Sequence, residues 1–85
     1  MTDEPQHDVE WNAGDMGCGE LVLELRNRML AMHAGDVLLL VARDPGARED
    51  LPAWCLMTRH TLVHADHPDY WIRRRDDGAA SLPQP

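Results

Sequence analysis

Asp15-Met16-Gly17-Cys18-Gly19-Glu20-Leu21 is the stretch on which the reading of this chain turns. Upstream, Val9-Glu10-Trp11-Asn12-Ala13 alternates apolar and polar residues, the period of a half-buried strand. Downstream, Leu21, Leu25, Met29 and Met32 recur at helical spacing, with Val22 and Leu30 widening the stripe, which predicts an amphipathic helix over 19–33. The strand must therefore stop, turn through Gly14–Gly17 and release a helix within a few residues, and Cys18 stands at that junction. A first helical turn leaves N–H groups without intrahelical partners and carries the positive end of the helix dipole, and both favour a thiolate. From position alone, Cys18 is either that reactive thiol or an inert small residue filling the turn.

Beyond the helix, Glu24 and Arg28 have the order and spacing of a supporting ion pair, and Gly35 is expected to supply the left-handed stop. Val37-Leu38-Leu39-Leu40-Val41 is an unbroken apolar run and reads as a strand over 36–42 that is apolar on both faces. A small sheet with helices on one side covers only one of them. Val37, Leu39 and Val41 then form either an exposed stripe suited to a weak homodimer or partner surface, or a face covered by the chain ends or a tryptophan. Asp44-Pro45-Gly46 breaks the strand, and a second helix over 47–58 is entered through Glu49 and Asp50. Pro52 is expected in its first turn or two, with the regular part starting near Leu51. Leu51, Trp54, Cys55 and Thr58 share one face of that helix, which makes Cys55 a buried structural thiol. Thr61–Ala65 and Tyr70–Arg74 read as two strands joined by Asp66-His67-Pro68-Asp69. The order is β-α-β-α-β-β over a domain at 9–75, between a polar leader at 1–8 and a small, proline-bearing tail at 76–85 that are both expected to be disordered.

Composition removes whole classes of function. Eighty-five residues suit a single domain with a modest core. A formal charge of −7 repels phosphate backbones and argues against nucleic-acid binding, leaving proteins or small molecules as partners. No stretch approaches the roughly 20 apolar residues of a membrane span, and the acidic N-terminus lacks the order of a signal peptide, so the expected location is cytoplasmic. In that reducing compartment the two cysteines read as separate thiols. His60, His64 and His67 raise the question of a metal site, but no close-spaced cysteine pair or carboxylate completes a ligand set, and surface histidine is the expectation. Arg73-Arg74-Arg75 reads as a solvated edge that discourages aggregation rather than an anion grip. There is no Gly-rich phosphate loop and no local Ser, His and Asp set. One thiol at a helix start remains.

At this point the chain resembles the TusA/SirA sulfur-carrier family, over about Val9 to Arg75. The resemblance is carried most specifically by Gly35-Asp36-Val37-Leu38, by Ala42-Arg43-Asp44-Pro45-Gly46 running on to Leu51-Pro52-Ala53-Trp54-Cys55, and by His60-Thr61-Leu62, with Ile72-Arg73 fitting the closing strand. It implies an α+β fold, a two-layer sandwich in which two helices pack on one face of a four-stranded mixed sheet. It also implies sulfur relay without cofactor or metal. A cysteine in a Cys-Pro-x-Pro motif takes persulfide sulfur from a cysteine desulfurase or rhodanese and passes it to a downstream sulfur-relay protein, toward tRNA thiolation, molybdenum cofactor or sulfur oxidation. By position Cys18 inherits that role and Cys55 does not, and the N–H groups of Gly19 and Glu20 are expected to stabilise the anionic sulfur. Here the motif reads Cys18-Gly19-Glu20-Leu21, without either proline; Asp15 and Arg59 also stand where the family has glycine. The other readings of the same residues are a non-catalytic interaction module and a thiol redox sensor.

Overall fold

The computed structural model describes residues 4–76. The elements are β1 (Val9–Gly14), α1 (Cys18–Ala31), β2 (Val37–Ala42), α2 (Ala47–Thr58), β3 (Thr61–Asp66) and β4 (Asp69–Arg73). The strands form one mixed sheet in the order β1-β2-β4-β3. β1 and β2 are parallel, with Trp11 opposite Leu40, while β4 runs antiparallel to both β2 and β3. This is the α+β arrangement expected from the order of elements. Much of the expected leader and tail lies outside the described residues, at 1–3 and 77–85. Within the described part, Asp8 is bonded to β2 through both its N–H and its carboxylate, at 2.8 and 2.9 Å from Val37.

Alternation along the strands decides what the helices cover. Leu38, Leu40 and Ala42 of β2, Trp11 of β1, and Tyr70 and Ile72 of β4 turn to one side and are buried there. Leu21, Leu25, Met29 and Met32 of α1 and Ala47, Leu51, Trp54 and Cys55 of α2 close over them. The α1 stripe is narrower than its sequence suggests, for Val22 is half-buried while Leu30 is 48% exposed. Arg28 pairs with Glu24 at 3.0 Å as expected, and its guanidinium lies 4.4 Å over the Trp11 ring, so an aliphatic stem and a cation shield the indole at the sheet edge. On the opposite side Val37, Leu39 and Val41 are half-buried rather than exposed. Trp71, 1% exposed, stands across from Leu39, and His64 packs on it with ring centroids 5.2 Å apart.

The structure departs from local expectation at three places. α1 ends at Ala31, where Met32 turns extended and donates to the Met29 carbonyl; the positive φ of Gly35 serves the following turn, where its N–H reaches the Arg74 carbonyl. α2 is regular from Ala47, not from Leu51, and carries Pro52 inside it. The Arg48 carbonyl there has no N–H facing it from Pro52, a modest loss so near the helix start. The arginine run is not a strand edge, because β4 is an inner strand. Instead Arg74 Nε donates to the Met29 carbonyl at 2.8 Å and Arg75 Nη1 to the Thr58 carbonyl at 2.8 Å, so the two cations satisfy the C-terminal ends of α1 and α2.

Arg59 closes α2 in the left-handed region, with φ 69 and ψ 14. A side chain there costs about 1–2 kcal/mol relative to the right-handed helix, part of which glycine gives back through its freer unfolded state. Arg59→Gly is expected to stabilise the protein by about 0.5–1 kcal/mol, read as a rise of a few degrees in melting temperature. No rise, or a fall, would show that the Arg59 side chain holds more than its backbone angle costs.

Candidate functional site

Because β1 and β2 are parallel neighbours, their C-terminal ends lie on the same edge of the sheet, and each runs directly into a helix. The first turns of α1 and α2 are thereby brought side by side. At the end of β1, Gly14 takes φ +61, its N–H bonds Asn12 Oδ1 at 2.9 Å, and its carbonyl receives the Arg43 N–H at 3.0 Å, which ties the two strand ends together. Met16 bonds back to Ala13, and Gly17 then caps α1 through its backbone alone. Cys18 is the first helical residue, and Leu21 N–H makes the first bond, to the Gly17 carbonyl at 2.8 Å. The N–H groups of Gly19 and Glu20 precede that bond and point out of the helix end.

The half-exposed thiol of Cys18 meets the second loop. Its Sγ donates to Asp44 Oδ2 at 3.0 Å, and the same oxygen accepts the Gly46 N–H at 3.0 Å. Asp50, one turn into α2, is the second carboxylate at the sulfur. Gly46 has an ordinary φ of −69, so glycine is there for space: a Cβ would lie 2.9 Å from Asp44 Oδ2, 3.4 Å from Asp50 Oδ2 and 3.7 Å from Cys18 Sγ. Beside the sulfur, between the helices, opens a shallow groove of about 320 Å³ lined by Val22, Ala53, Trp54 and Met57, with Cys18, Gly19 and Asp50 at one end. Met57 is 76% exposed on its wall.

The expectation of a favoured thiolate is overturned. Partial burial comes first among the causes that push the Cys18 thiol up to about 12, followed by its hydrogen bond to Asp44, by the nearby Asp50 carboxylate and by the negative charge of both. A carboxylate that accepts the S–H stabilises the protonated form and repels the anion. Cys55 behaves as its helical phase suggests, 3% exposed in the core, with burial pushing its thiol up to about 11.

Glu20, in the first turn of α1, has an exposed side chain. The three histidines do not converge. His60 stacks on Trp54, His64 packs on Trp71, and His67 shares a 2.5 Å hydrogen bond with the Tyr70 hydroxyl. Among the described residues no three of His, Cys, Asp and Glu form a metal-holding group. In the sequence, Asp44 belongs to a strand-breaking triplet and Asp50 to a helix entry. Their place at the sulfur was recoverable only by combining the parallel pairing with the rule that loops at the C-terminal ends of parallel strands meet.

The family described as Sulfurtransferase TusA matches residues 10–74, most of the described chain and all of the site. The chain belongs to the TusA family. It is 33% identical over 75 residues to the sulfur carrier protein TusA of Pseudomonas entomophila (strain L48), covering 84% of this chain and 94% of that one. It is 34% identical over 74 residues to the sulfur carrier protein TusA of Pseudomonas syringae pv. syringae (strain B728a), covering 82% and 88%. The corresponding protein of Pseudomonas aeruginosa (strain LESB58) is 32% identical over 74 residues. Within this TusA-family chain, the residues that replace the two motif prolines have separate uses. Leu21 supplies the N–H of the first helical bond and is fully buried, while Gly19 has open space where a side chain would stand.

With the thiol held protonated, alkylation by iodoacetamide should label Cys18 well before Cys55. Its rate should still be climbing above pH 9 and level only near 12, because thiolate forms as pH rises through that value. A plateau near pH 8 would show that the carboxylates do not govern the sulfur.

Proposed function

We propose that this protein carries sulfur on Cys18, accepting it as a persulfide from a cysteine desulfurase or rhodanese and passing it to a downstream sulfur-relay protein in the cytoplasm. One observation carries the reading: a half-exposed thiol at the start of α1, at the mouth of an apolar groove, in a chain that belongs to the TusA family. Thiol–persulfide exchange needs an accessible sulfur and a partner that can approach along it, and no cofactor. The groove is too shallow to enclose a small substrate. Its apolar wall and the exposed Met57 instead suit a protein partner that lays a sulfur-bearing residue against Cys18. Once loaded, the outer sulfur extends the side chain past its own helix start, and the N–H groups of Gly19 and Glu20, in the first helical turn, stabilise its negative charge. The Glu20 side chain opposes this slightly by charge. No helix among the described residues is long and apolar enough to cross a membrane.

Incubated with a cysteine desulfurase, its pyridoxal phosphate and free cysteine, the protein should gain the mass of one sulfur atom at Cys18. Cys18→Ser should gain nothing, and Cys55→Ser should load as the parent does. A rhodanese-type donor with thiosulfate serves as the second donor. An intact, folded protein that neither donor loads would sink the carrier reading.

A further inference from the structure

Asp44 is engaged twice through a single oxygen. Oδ2 accepts the Cys18 thiol proton at 3.0 Å and the Gly46 N–H at 3.0 Å, and the second bond secures the first by closing the Asp44-Pro45-Gly46 turn around the carboxylate. The missing side chain at Gly46 leaves the space in which the two acids and the sulfur meet. The charged and titratable groups that face Sγ are Asp44 from the β2–α2 turn, Asp50 from α2, and Tyr70 from β4, itself influenced by Arg48; Glu20 is the acid in the first turn of α1. A thiol held in its protonated form by its neighbours needs somewhere to put its proton when it attacks. The hydrogen bond already names the acceptor.

We infer that Asp44 is a catalytic residue of sulfur transfer, taking the Cys18 proton as the sulfur attacks and returning one when it leaves. The inference rests on the carrier reading. In loading, Cys18 Sγ attacks the outer sulfur of a donor persulfide while its proton moves to Asp44 Oδ2. A new S–S bond forms, the donor's S–S bond breaks with its electron pair on the donor's inner sulfur, and the proton passes from Asp44 to that leaving thiolate. One thiol and one persulfide enter, one persulfide and one thiol leave, and nothing is oxidised or reduced overall. In unloading, an acceptor thiol attacks the sulfur carried by Cys18, and Asp44 returns a proton to Sγ as it departs. A single carboxylate therefore serves both directions, as base in one and acid in the other.

The test compares two electrophiles at Cys18 in the parent and in Asp44→Asn, whose side-chain carbonyl still accepts the Gly46 N–H. Iodide leaves iodoacetamide without a proton, whereas the thiolate leaving glutathione persulfide takes one, and neither reagent depends on a docking surface. Asp44→Asn is expected to lose roughly tenfold or more in persulfide loading at pH 7.5, read by intact mass against time. That loss should shrink as pH rises, and alkylation should not fall. Gly46→Ala, which forces the carboxylate away from the sulfur while keeping it, should lose loading in the same sense, and it decides the matter if Asp44→Asn does not fold. Loading that is unchanged in both variants, or loading and alkylation that fall together, overturns the assignment of Asp44 and leaves the carrier reading standing. A parent that alkylates at Cys18 but takes no sulfur from glutathione persulfide or from either protein donor overturns both.

Discussion

The parallel pairing of β1 with β2 is the constraint from which the site follows. Two parallel strands share a C-terminal edge, so the loops that leave them must share it too, and here each loop is short and opens a helix. The Arg43 N–H to Gly14 carbonyl bond fixes the two exits against one another. Everything chemically notable then lies on that edge: the thiol from the first loop, the two acids from the second, and Tyr70 with His67 where the antiparallel β4 begins beside the end of β2. The opposite edge is structural, with Arg74 and Arg75 on the last carbonyls of the helices.

At the sulfur, two electrostatic influences oppose each other, and magnitudes decide between them. A helix N-terminus favours a nearby anion by about 0.3–1 kcal/mol, and both helix starts lie close by. Two negative charges about 4 Å apart near a protein surface repel by about 4 kcal/mol, and Asp44 is closer than that to Sγ. Partial burial adds to the carboxylates rather than to the dipoles. The thiol is therefore held protonated and hydrogen-bonded, which lowers the share of the reactive thiolate.

The altered motif fits the same geometry. Proline at the position of Leu21 could not donate to the Gly17 carbonyl, and it would leave less apolar volume where Leu21 is fully buried against the sheet. Gly19 needs no left-handed backbone and meets no neighbour. The helix begins at Cys18 without proline because its start is fixed from outside, by the Gly14 turn and by the thiol's own bond to Asp44.

The sequence by itself determined the order of the elements, the apolar stripes of α1 and α2, the burial of Cys55 and the position of Cys18 at a helix start. These follow from periods of 2 and 3.6 residues and from local turn chemistry, which act over a few positions. The usual roles of their residue types place Gly35 at a helix stop and Pro52 at the head of the regular helix, whereas the turn beside Arg74 and the regular start of α2 at Ala47 set their actual ones. Only the tertiary structure decided that β4 is an inner strand, that Arg74 and Arg75 cap helices, and that Asp44, 26 residues from Cys18, accepts a hydrogen bond from its thiol. Strand order and loop convergence depend on contacts between distant segments. The charge state of a thiol depends on which groups those contacts bring within a few ångströms of it, and no pattern local to Cys18 contains that information.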